Sequence, residues 1–237
     1  MRVTALVLLL APISTAAPAA ILCVEPEGAA GCHETITSAL AAADDGDTIR
    51  IAAGTYAENL LITENVTLEG GWDPSFSERD VSRFITRVVP TAGSTSSVVS
   101  IQGLSANPSQ STPNLDGLTV GEGRADLGGN QGGGLRIVDS YARIRNTTVL
   151  GNAAFFFGGG IWVKRGSPHF ENCRIRDNVV TGGPLSWGAG IAVQDASATF
   201  VRCSVERNRI TAMNGTGGGI AISNFASEQD QFLRIED

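Results

Sequence analysis

Apolar and polar side chains alternate in four segments of the C-terminal half of the chain, and each segment begins directly after a glycine-rich triplet. The triplets end at Gly134, Gly160, Gly190 and Gly219. Alternation with a period of two predicts β-strands that bury one face. Equivalent positions carry like side chains: Leu135, Ile161, Ile191 and Ile220; Ile137, Val163, Val193 and Ile222; Ile144, Phe170 and Phe200; Val149, Ile175 and Val205.

The copies share a rigid frame and differ in length at one place. In the first three copies Asn152, Asn178 and Asn208 each lie 18 residues after the last glycine of the triplet. Five, nine and eight residues then separate each Asn from the next triplet. A fixed frame with one variable loop is typical of stacked coils. We therefore predict an all-β, single-stranded parallel β-helix of about six coils with three short strands per coil. The Asn residues would form a structural ladder, with Asn tolerating the left-handed backbone region.

The fourth copy departs from this frame. In the 18-residue alignment, polar residues replace the core positions of its second strand, and Asp237 stands where Asn is expected. Since an open β-helix end exposes a pairing edge, we expect the β-helix at residues 48–237 to be truncated at its C-terminus. A catalytic site or anchoring domain would then lie beyond residue 237.

The first 47 residues predict export and a cap. Residues 1–19 have the pattern of a signal peptide: Arg2, an apolar run too short to span a bilayer, and a small-residue cleavage site. Residues 20–47 form the predicted N-terminal cap, with a disulfide between Cys23 and Cys32 and a short helix at 35–43 that covers the open end. Cys173 and Cys203 are expected one coil apart, as two buried thiols or as a second disulfide.

The charge of the chain excludes some classes of binding partner. The formal net charge is −7 and no basic tract occurs, which argues against nucleic acid and anionic membrane surfaces. No apolar stretch of spanning length follows the signal, so we expect no membrane insertion, and a monomer.

The stretch ETITSALAAADDGDTIRIAAGTYAENLLITENVTLEGGW resembles the opening cap and first coil of pectin-lyase-like right-handed parallel β-helix proteins. The GGGI, VLGN, RIRDN and VERN elements resemble repeats of bacterial polymorphic outer-membrane and autotransporter-type surface proteins. The resemblance implies a right-handed coil and a secreted, extracellular or outer-membrane-associated bacterial protein. It does not imply one activity, because this scaffold serves many enzymes and adhesins.

Complete catalytic motifs are not found. GTYAE matches the first short motif of pectin methylesterases, but the other elements of that family are absent, so Tyr56 and Glu58 are interpreted as turn residues of the first coil. Neither His33 nor His169 has the context of a polygalacturonase. We expect His169 to face solvent.

One charged cluster could serve a pectate-lyase-like elimination. Lys164 and Arg165 are expected on an outward face near Asp139 and Asp195, where a base and acidic ligands for Ca²⁺ would be needed. The alternative is a solvated charged surface. If the protein is not a lyase, we expect no cofactor and no metal. Asp44, Asp45 and Asp47 could suggest calcium, but their spacing is that of a turn and lacks the other ligands of a known calcium loop.

The variable loops should leave the rod at the same corner and lie side by side. They would gather aromatic side chains into one region together with the outward Trp162. These side chains either cover one another on a lateral ridge or form an apolar patch for a glycan or surface protein. The members are Phe155, Phe156, Phe157, Trp162, Leu185, Trp187 and Met213.

Two functions follow from these patterns. The first is a structural or recognition module at the cell surface or outside the cell, which displays its corner loops. The second is a polysaccharide lyase that acts on acidic polysaccharide. Binding without turnover would favour the first, and turnover that depends on Lys164 or Arg165 would favour the second.

Overall fold

The computed structural model describes residues 18–28, 31–104, 106–125, 131–183, 185–211, 214–223 and 233–236. Most of the predicted signal peptide, together with Met213 and Asp237, lies outside the described residues. The N-terminal half contains β1 (Ile21–Val24), α1 (Ile36–Ala42), β2 (Thr48–Ala52), β3 (Gly54–Ala57), β4 (Leu60–Ile62), β5 (Thr67–Trp72), β6 (Thr86–Val89), β7 (Val99–Gln102), a 3-10 turn η1 (Pro108–Gln110), β8 (Asn114–Asp116), β9 (Leu118–Gly121) and β10 (Arg124–Ala125).

The C-terminal half contains only strands among its described residues. These are β11 (Leu135–Ser140), β12 (Arg143–Arg145), β13 (Thr148–Leu150), β14 (Ala153–Ala154), β15 (Ile161–Gly166), β16 (His169–Glu171), β17 (Arg174–Arg176), β18 (Val179–Val180), β19 (Ile191–Gln194), β20 (Ala198–Val201), β21 (Ser204–Glu206), β22 (Arg209–Ile210), β23 (Ile220–Ser223) and β24 (Leu233–Glu236).

Four parallel sheets run along the rod. Sheet A has the order β1-β2-β5-β8-β12-β16-β20-β24, sheet B β21-β17-β13-β9-β6-β3 and sheet C β23-β19-β15-β11-β7-β4. A fourth sheet D, of two-residue strands, has the order β10-β14-β18-β22. The chain passes repeatedly from sheet C through A and B, and from β10 onward it returns to C by way of D. The predicted all-β right-handed parallel β-helix is confirmed, with about seven turns rather than six.

The predicted registers are confirmed in all three long sheets. Ile161 pairs with Leu135 and Ile191 in sheet C, Phe170 with Ile144 and Phe200 in sheet A, and Ile175 with Val149 and Val205 in sheet B. Because these side chains point inward, they form continuous columns that make one hydrophobic core.

The cap contributes more than a disulfide loop and a helix. The Cys23–Cys32 disulfide is present, and the segment that carries Cys23 forms β1, which pairs with β2 and adds a strand to sheet A. Helix α1 begins after Thr35, whose hydroxyl accepts a hydrogen bond from the Ser38 amide at 3.1 Å. Its Ile36, Ala39 and Leu40 are buried in the core, so α1 covers this end of the columns.

The 18-residue alignment of the fourth copy is wrong in sheet A, whereas the expected truncation of the β-helix stays a prediction. In sheet A, Ile235 of β24 pairs with Phe200 of β20, six residues later than the rigid frame places the equivalent position. Nine residues separate β23 from β24, whereas three separate β19 from β20. The 18-residue alignment therefore placed the core position of the second strand too early in the sequence. Ile235 therefore occupies the next register position of the apolar column of sheet A, where it is 63% exposed.

The residues at the corners between strands adopt the left-handed backbone conformation. Positive φ recurs at equivalent positions of successive coils, and the residue that precedes each ladder Asn is the one that adopts it. The expectation that the ladder Asn themselves supply this conformation is therefore wrong. The corner residues are Asp139, Arg165 and Asp195; Asn146, Asn172 and Arg202; Gly151, Asp177 and Arg207; Gly132, Gly158, Gly188 and Gly217. No helix among the described residues is long and apolar enough to cross a membrane.

Candidate binding face

The Asn ladder is a buried structural device. Asn152 Nδ2 donates to Asn178 Oδ1 at 3.0 Å, and Asn178 Nδ2 donates to Asn208 Oδ1 at 2.9 Å. Asn178 Nδ2 also donates to the Val149 carbonyl at 3.1 Å, and Asn178 Oδ1 accepts from the Asn152 amide at 3.0 Å. These bonds occupy the amide of Asn178, which leaves no free donor for a ligand.

The last glycine of each of the first three triplets packs against this ladder. A Cβ on Gly160 would lie 2.7 Å from the Gly190 carbonyl oxygen and 2.8 Å from Asn178 Nδ2. Only glycine permits that approach. The glycine triplets and the Asn column are therefore one structural unit, and the chemistry of a site must come from the outer side chains.

The three variable connections stack in register after the ladder. Strands β14, β18 and β22 pair in parallel, and bridges then join Phe157 to Trp187 and Trp187 to Thr216. The loops therefore lie side by side at one corner. We call Phe155, Phe156, Phe157 and Trp187 the aromatic ridge.

Rings of the aromatic ridge contact one another in sequence. The centroids of Phe155 and Phe156 are 4.6 Å apart in an edge-to-face arrangement, those of Phe156 and Phe157 are 5.8 Å apart, and those of Phe157 and Trp187 are 4.8 Å apart. Trp187 is 8% exposed, whereas the three phenylalanines are half-buried. The rings of the ridge thus bury part of one another's surface, and the rest of the phenylalanine ring surface remains open to solvent.

Trp162 is covered by these loops. It points outward from sheet C as the alternation predicts, but only 4% of it is exposed, because it packs with Trp187, Val138 and Ala192 outside the main core. Its indole Nε1 has no hydrogen-bond acceptor among the described residues. Trp162 supports the aromatic ridge and is not an open contact residue.

A cleft of 380 Å³ adjoins the aromatic ridge. Its walls combine apolar side chains with hydroxyl and amide groups, a composition suited to a ligand with both apolar and polar faces. It is lined by Phe157, Leu185, Ser186, Trp187, Asn214, Thr216, Ala221, Ile222 and Ser223. Leu185, which is 80% exposed, stands at its rim.

The charged candidates for catalysis are brought together but are not free. Asp139 is fully buried, and its two carboxylate oxygens accept hydrogen bonds from Arg165 Nε and an Arg165 terminal nitrogen (Nη2) at 2.6 and 2.7 Å. These bonds, and secondarily the charges of Asp139 and Asp195, raise the pKa of Arg165. Lys164 Nζ lies 5.8 Å from the centroid of the Trp162 ring. Arg165 is therefore a structural cation, since its bond to Asp139 opposes loss of a proton.

No group of three or more His, Cys, Asp or Glu side chains that could hold a metal ion occurs among the residues that the structure describes. The Asp-rich turn near α1 binds backbone instead: the Asp47 carboxylate accepts from the amides of Ala20 and Asp44, and Asp45 accepts from the Asn65 amide.

The GTYAE segment has a structural role, but Tyr56 lies within strand β3 and not in a turn, so that part of the interpretation is wrong. Glu58 accepts hydrogen bonds from the amides of Ile36 and Thr37 at 2.9 and 2.8 Å, and so holds the start of α1 on the first coil. Tyr56 is buried, and its hydroxyl donates to the Ala52 carbonyl at 3.0 Å. Burial is the main cause that raises the pKa of Tyr56.

The two remaining cysteines are free thiols in neighbouring coils. Cys173 is buried and Cys203 is half-buried, and the Cys173 amide lies 3.4 Å from Cys203 Sγ. Contact with Cys173 is the main cause that lowers the pKa of Cys203 to about 7.

The alternation of outward positions also marks a cleft that sequence reasoning did not find. It lies on the outer face of sheet A, away from the aromatic ridge, and contains Tyr141, Arg143 and His169. His169 is outward, as expected, but half-buried. The sequence alignment of the coils could have revealed this cleft, because Arg143 and His169 occupy the same position in consecutive coils.

Comparison with known proteins agrees with the fold. The profile of the family described as "Right handed beta helix region" matches residues 105–230, which is more than half of the 237-residue chain. No curated protein matches.

Two solved structures are similar in fold. A pectin methylesterase from Aspergillus niger, in penultimately deglycosylated form, has a TM-score of 0.50 and 18% identity, over 94% of this chain and 86% of that one. The pectin methylesterase PemA from Erwinia chrysanthemi has a TM-score of 0.49 and 12% identity, over 92% of this chain and 94% of that one. At these identities the likeness concerns the fold alone. With the family match and the observed parallel coils, the chain belongs to the right-handed β-helix family.

Proposed function

We propose that this protein is an extracellular recognition module whose aromatic ridge and adjoining cleft bind a glycan without chemical turnover. The observation that carries the proposal is the stacking of three variable loops into one ordered ridge with half-exposed rings. Exposed aromatic patches of this kind usually mark contact sites.

Contacts within the protein hold the rings of the ridge in place. Strand pairing in sheet D, the bridge between Phe157 and Trp187, and the support of Trp162 beneath hold the rings in place. Because aromatic side chains have few rotatable bonds and are already packed, little conformational entropy is lost on binding. The faces of the rings offer apolar surface for the C–H faces of a sugar, and Asn214 and Thr216 in the cleft offer hydrogen bonds to its hydroxyl groups.

The lyase alternative has weaker support. Arg165 is bonded through two nitrogens to the buried Asp139, which leaves Lys164 as the remaining base candidate. The described residues contain no acidic cluster that would hold the Ca²⁺ of such a reaction. Binding therefore explains the arrangement of the side chains better than elimination does.

A location outside the cell is consistent with the Cys23–Cys32 disulfide. Disulfides of this structural type persist in oxidising compartments. The predicted signal peptide, whose residues 1–17 lie outside the described chain, supports the same location.

The test is a binding assay on a panel of neutral and acidic oligosaccharides, with and without Ca²⁺, alongside an absorbance assay for unsaturated products. We expect binding without turnover, and about tenfold weaker affinity for Phe156→Ala, since a buried aromatic contact contributes on the order of 1–2 kcal/mol.

Leu61→Ala is the matched control, because Leu61 is 60% exposed on the outer face of sheet C in the first coil, far along the rod. It should bind like the unchanged protein. Equal loss in both variants would contradict a site at the ridge. Formation of unsaturated product that is lost in Lys164→Ala would contradict the recognition module and would favour a lyase.

A further inference from the structure

A second cleft of 490 Å³ opens on the outer face of sheet A, on a different side of the coil from the aromatic ridge. We call it the sheet A cleft. It lies across β12 and β16, with η1 and the corners between sheets C and A at its edge. Its lining is Ser109, Thr112, Tyr141, Arg143, Arg145, Ser167, His169 and Glu171.

Two rows of outward side chains cross this face, and one of them is balanced in charge. Glu69, Asp116, Arg145 and Glu171 stand at paired positions of successive strands. Asp116 lies 3.1 Å from Arg79 and 3.9 Å from Arg145, and Glu171 pairs with Arg202. Each charge in the row therefore has an opposite charge beside it.

The other row is not balanced. Arg143 pairs in register with Asn114 on one side and His169 on the other, and His169 pairs with Thr199. No carboxylate within the described ranges forms an ion pair with Arg143 or His169. Since neighbouring strands are about 4.8 Å apart, Arg143 and His169 stand side by side, and neither has an anionic partner in the part of the chain that the structure describes.

We propose that the sheet A cleft binds an oxyanion group carried by a sugar, either a carboxylate or a sulfate ester. A guanidinium group offers a planar fork of donors that matches both groups, and His169 adds a donor at the neighbouring position. An anion between them would supply the partner that the row lacks.

The surroundings favour a sugar over a bare ion. Tyr141 is 40% exposed at the edge of the cleft, where its ring can pack against a sugar face. The hydroxyls of Ser109, Thr112 and Ser167 line the same space and can bond sugar hydroxyl groups. The sheet A cleft is separate from the aromatic ridge, so the two sites can be tested independently.

The experiment measures binding of four probes to the full chain by calorimetry or NMR: methyl glucuronide, galactose 6-sulfate, inorganic sulfate and methyl glucoside. We expect the first two to bind, inorganic sulfate to bind more weakly and the neutral glucoside to bind least. The stronger of the first two identifies the group. Arg143→Gln should weaken binding about tenfold or more, because a charge-assisted hydrogen bond is lost.

Arg87→Gln is the matched control, since it removes the same charge from sheet B, where Arg87 pairs with Glu122. Circular dichroism checks that both variants keep the fold. Equal weakening in both variants, equal binding of the glucuronide and the glucoside, or binding of none of the probes would overturn the proposal. Binding lost in Phe156→Ala but kept in Arg143→Gln would also overturn it, and would assign the sugar to the aromatic ridge.

Discussion

Two aromatic clusters lie in the same coils and are built in opposite ways. Inside the rod, Phe170 and Phe200 occupy equivalent positions of consecutive coils, with ring centroids 4.7 Å apart and planes within 6°. They are 0% and 2% exposed. Outside, Phe155, Phe156 and Phe157 are adjacent in one loop, and their rings meet edge-to-face or tilted while remaining half-buried.

The difference shows what the parallel coil determines and what it leaves open. Strand register forces like side chains inside the rod into direct stacks, where burial in the core contributes to stability. The loops of the ridge are ordered by short sheet D pairs, but their lengths differ and their side chains need not repeat. The inner cluster should therefore contribute to folding, and the outer one should be available for contact.

The largest expected effect is in the inner stack. Phe170→Ala should lower the free energy of unfolding by about 3–5 kcal/mol, because it removes a fully buried ring and leaves a cavity beside Phe200. Urea unfolding followed by circular dichroism measures it. Phe156→Ala is the outer counterpart and should cost about 1 kcal/mol or less. Equal losses would break the comparison.

The Asn ladder lies between the two clusters and should give the next effect. Asn178→Ala should lower the free energy of unfolding by about 2–3 kcal/mol, because it removes the hydrogen bonds that the Asn178 side chain makes to Asn152, Asn208 and the Val149 carbonyl. Unfolding in urea measures this as well. Asn208→Ala is the graded control and should cost less, since Asn208 is half-buried. A larger loss at Asn208 would contradict a ladder whose strength comes from buried amides.

Sequence patterns predict the interior of this protein much better than its exterior. The inward columns repeat with the strand period, so Ile161, Ile191 and Phe200 could be placed from the pattern alone. The fourth copy failed because a longer connection shifted Ile235 out of the assumed frame. Strands of a parallel sheet can pair whatever the length of the loop between them. An alignment with fixed spacing therefore misplaces every position that follows an insertion.

The exterior needed three-dimensional information. Trp162 alternates outward as predicted, but the pattern could not show that the loops fold back over it. Arg165 was predicted near Asp139, but the spacing could not show that two hydrogen bonds tie it to a buried carboxylate. Outward direction is a local property of a strand, whereas exposure and pairing depend on what crosses above it.

Trp187→Ala tests how far the ridge shields sheet C. It should lower the free energy of unfolding by about 1–2 kcal/mol, less than an inner ring, because Trp187 packs in a small cluster outside the main core. Trp162 should become more accessible, so its fluorescence should shift to longer wavelength and be quenched more by iodide. Trp187→Phe should retain most of the cover. Unchanged quenching in Trp187→Ala would show that other groups shield Trp162.

The smallest effect is the coupling between neighbouring rings of the ridge. A double-mutant cycle with Phe155→Ala and Phe156→Ala should give a coupling free energy of about 0.5 kcal/mol, at the lower end for aromatic pairs, because these rings are half-exposed. The same cycle on Phe170 and Phe200 should give a larger value, since water is excluded from that pair. Similar couplings would mean that the ridge is as tightly packed as the core. It would then contribute mainly to stability, and the case for a contact surface at this corner would be lost.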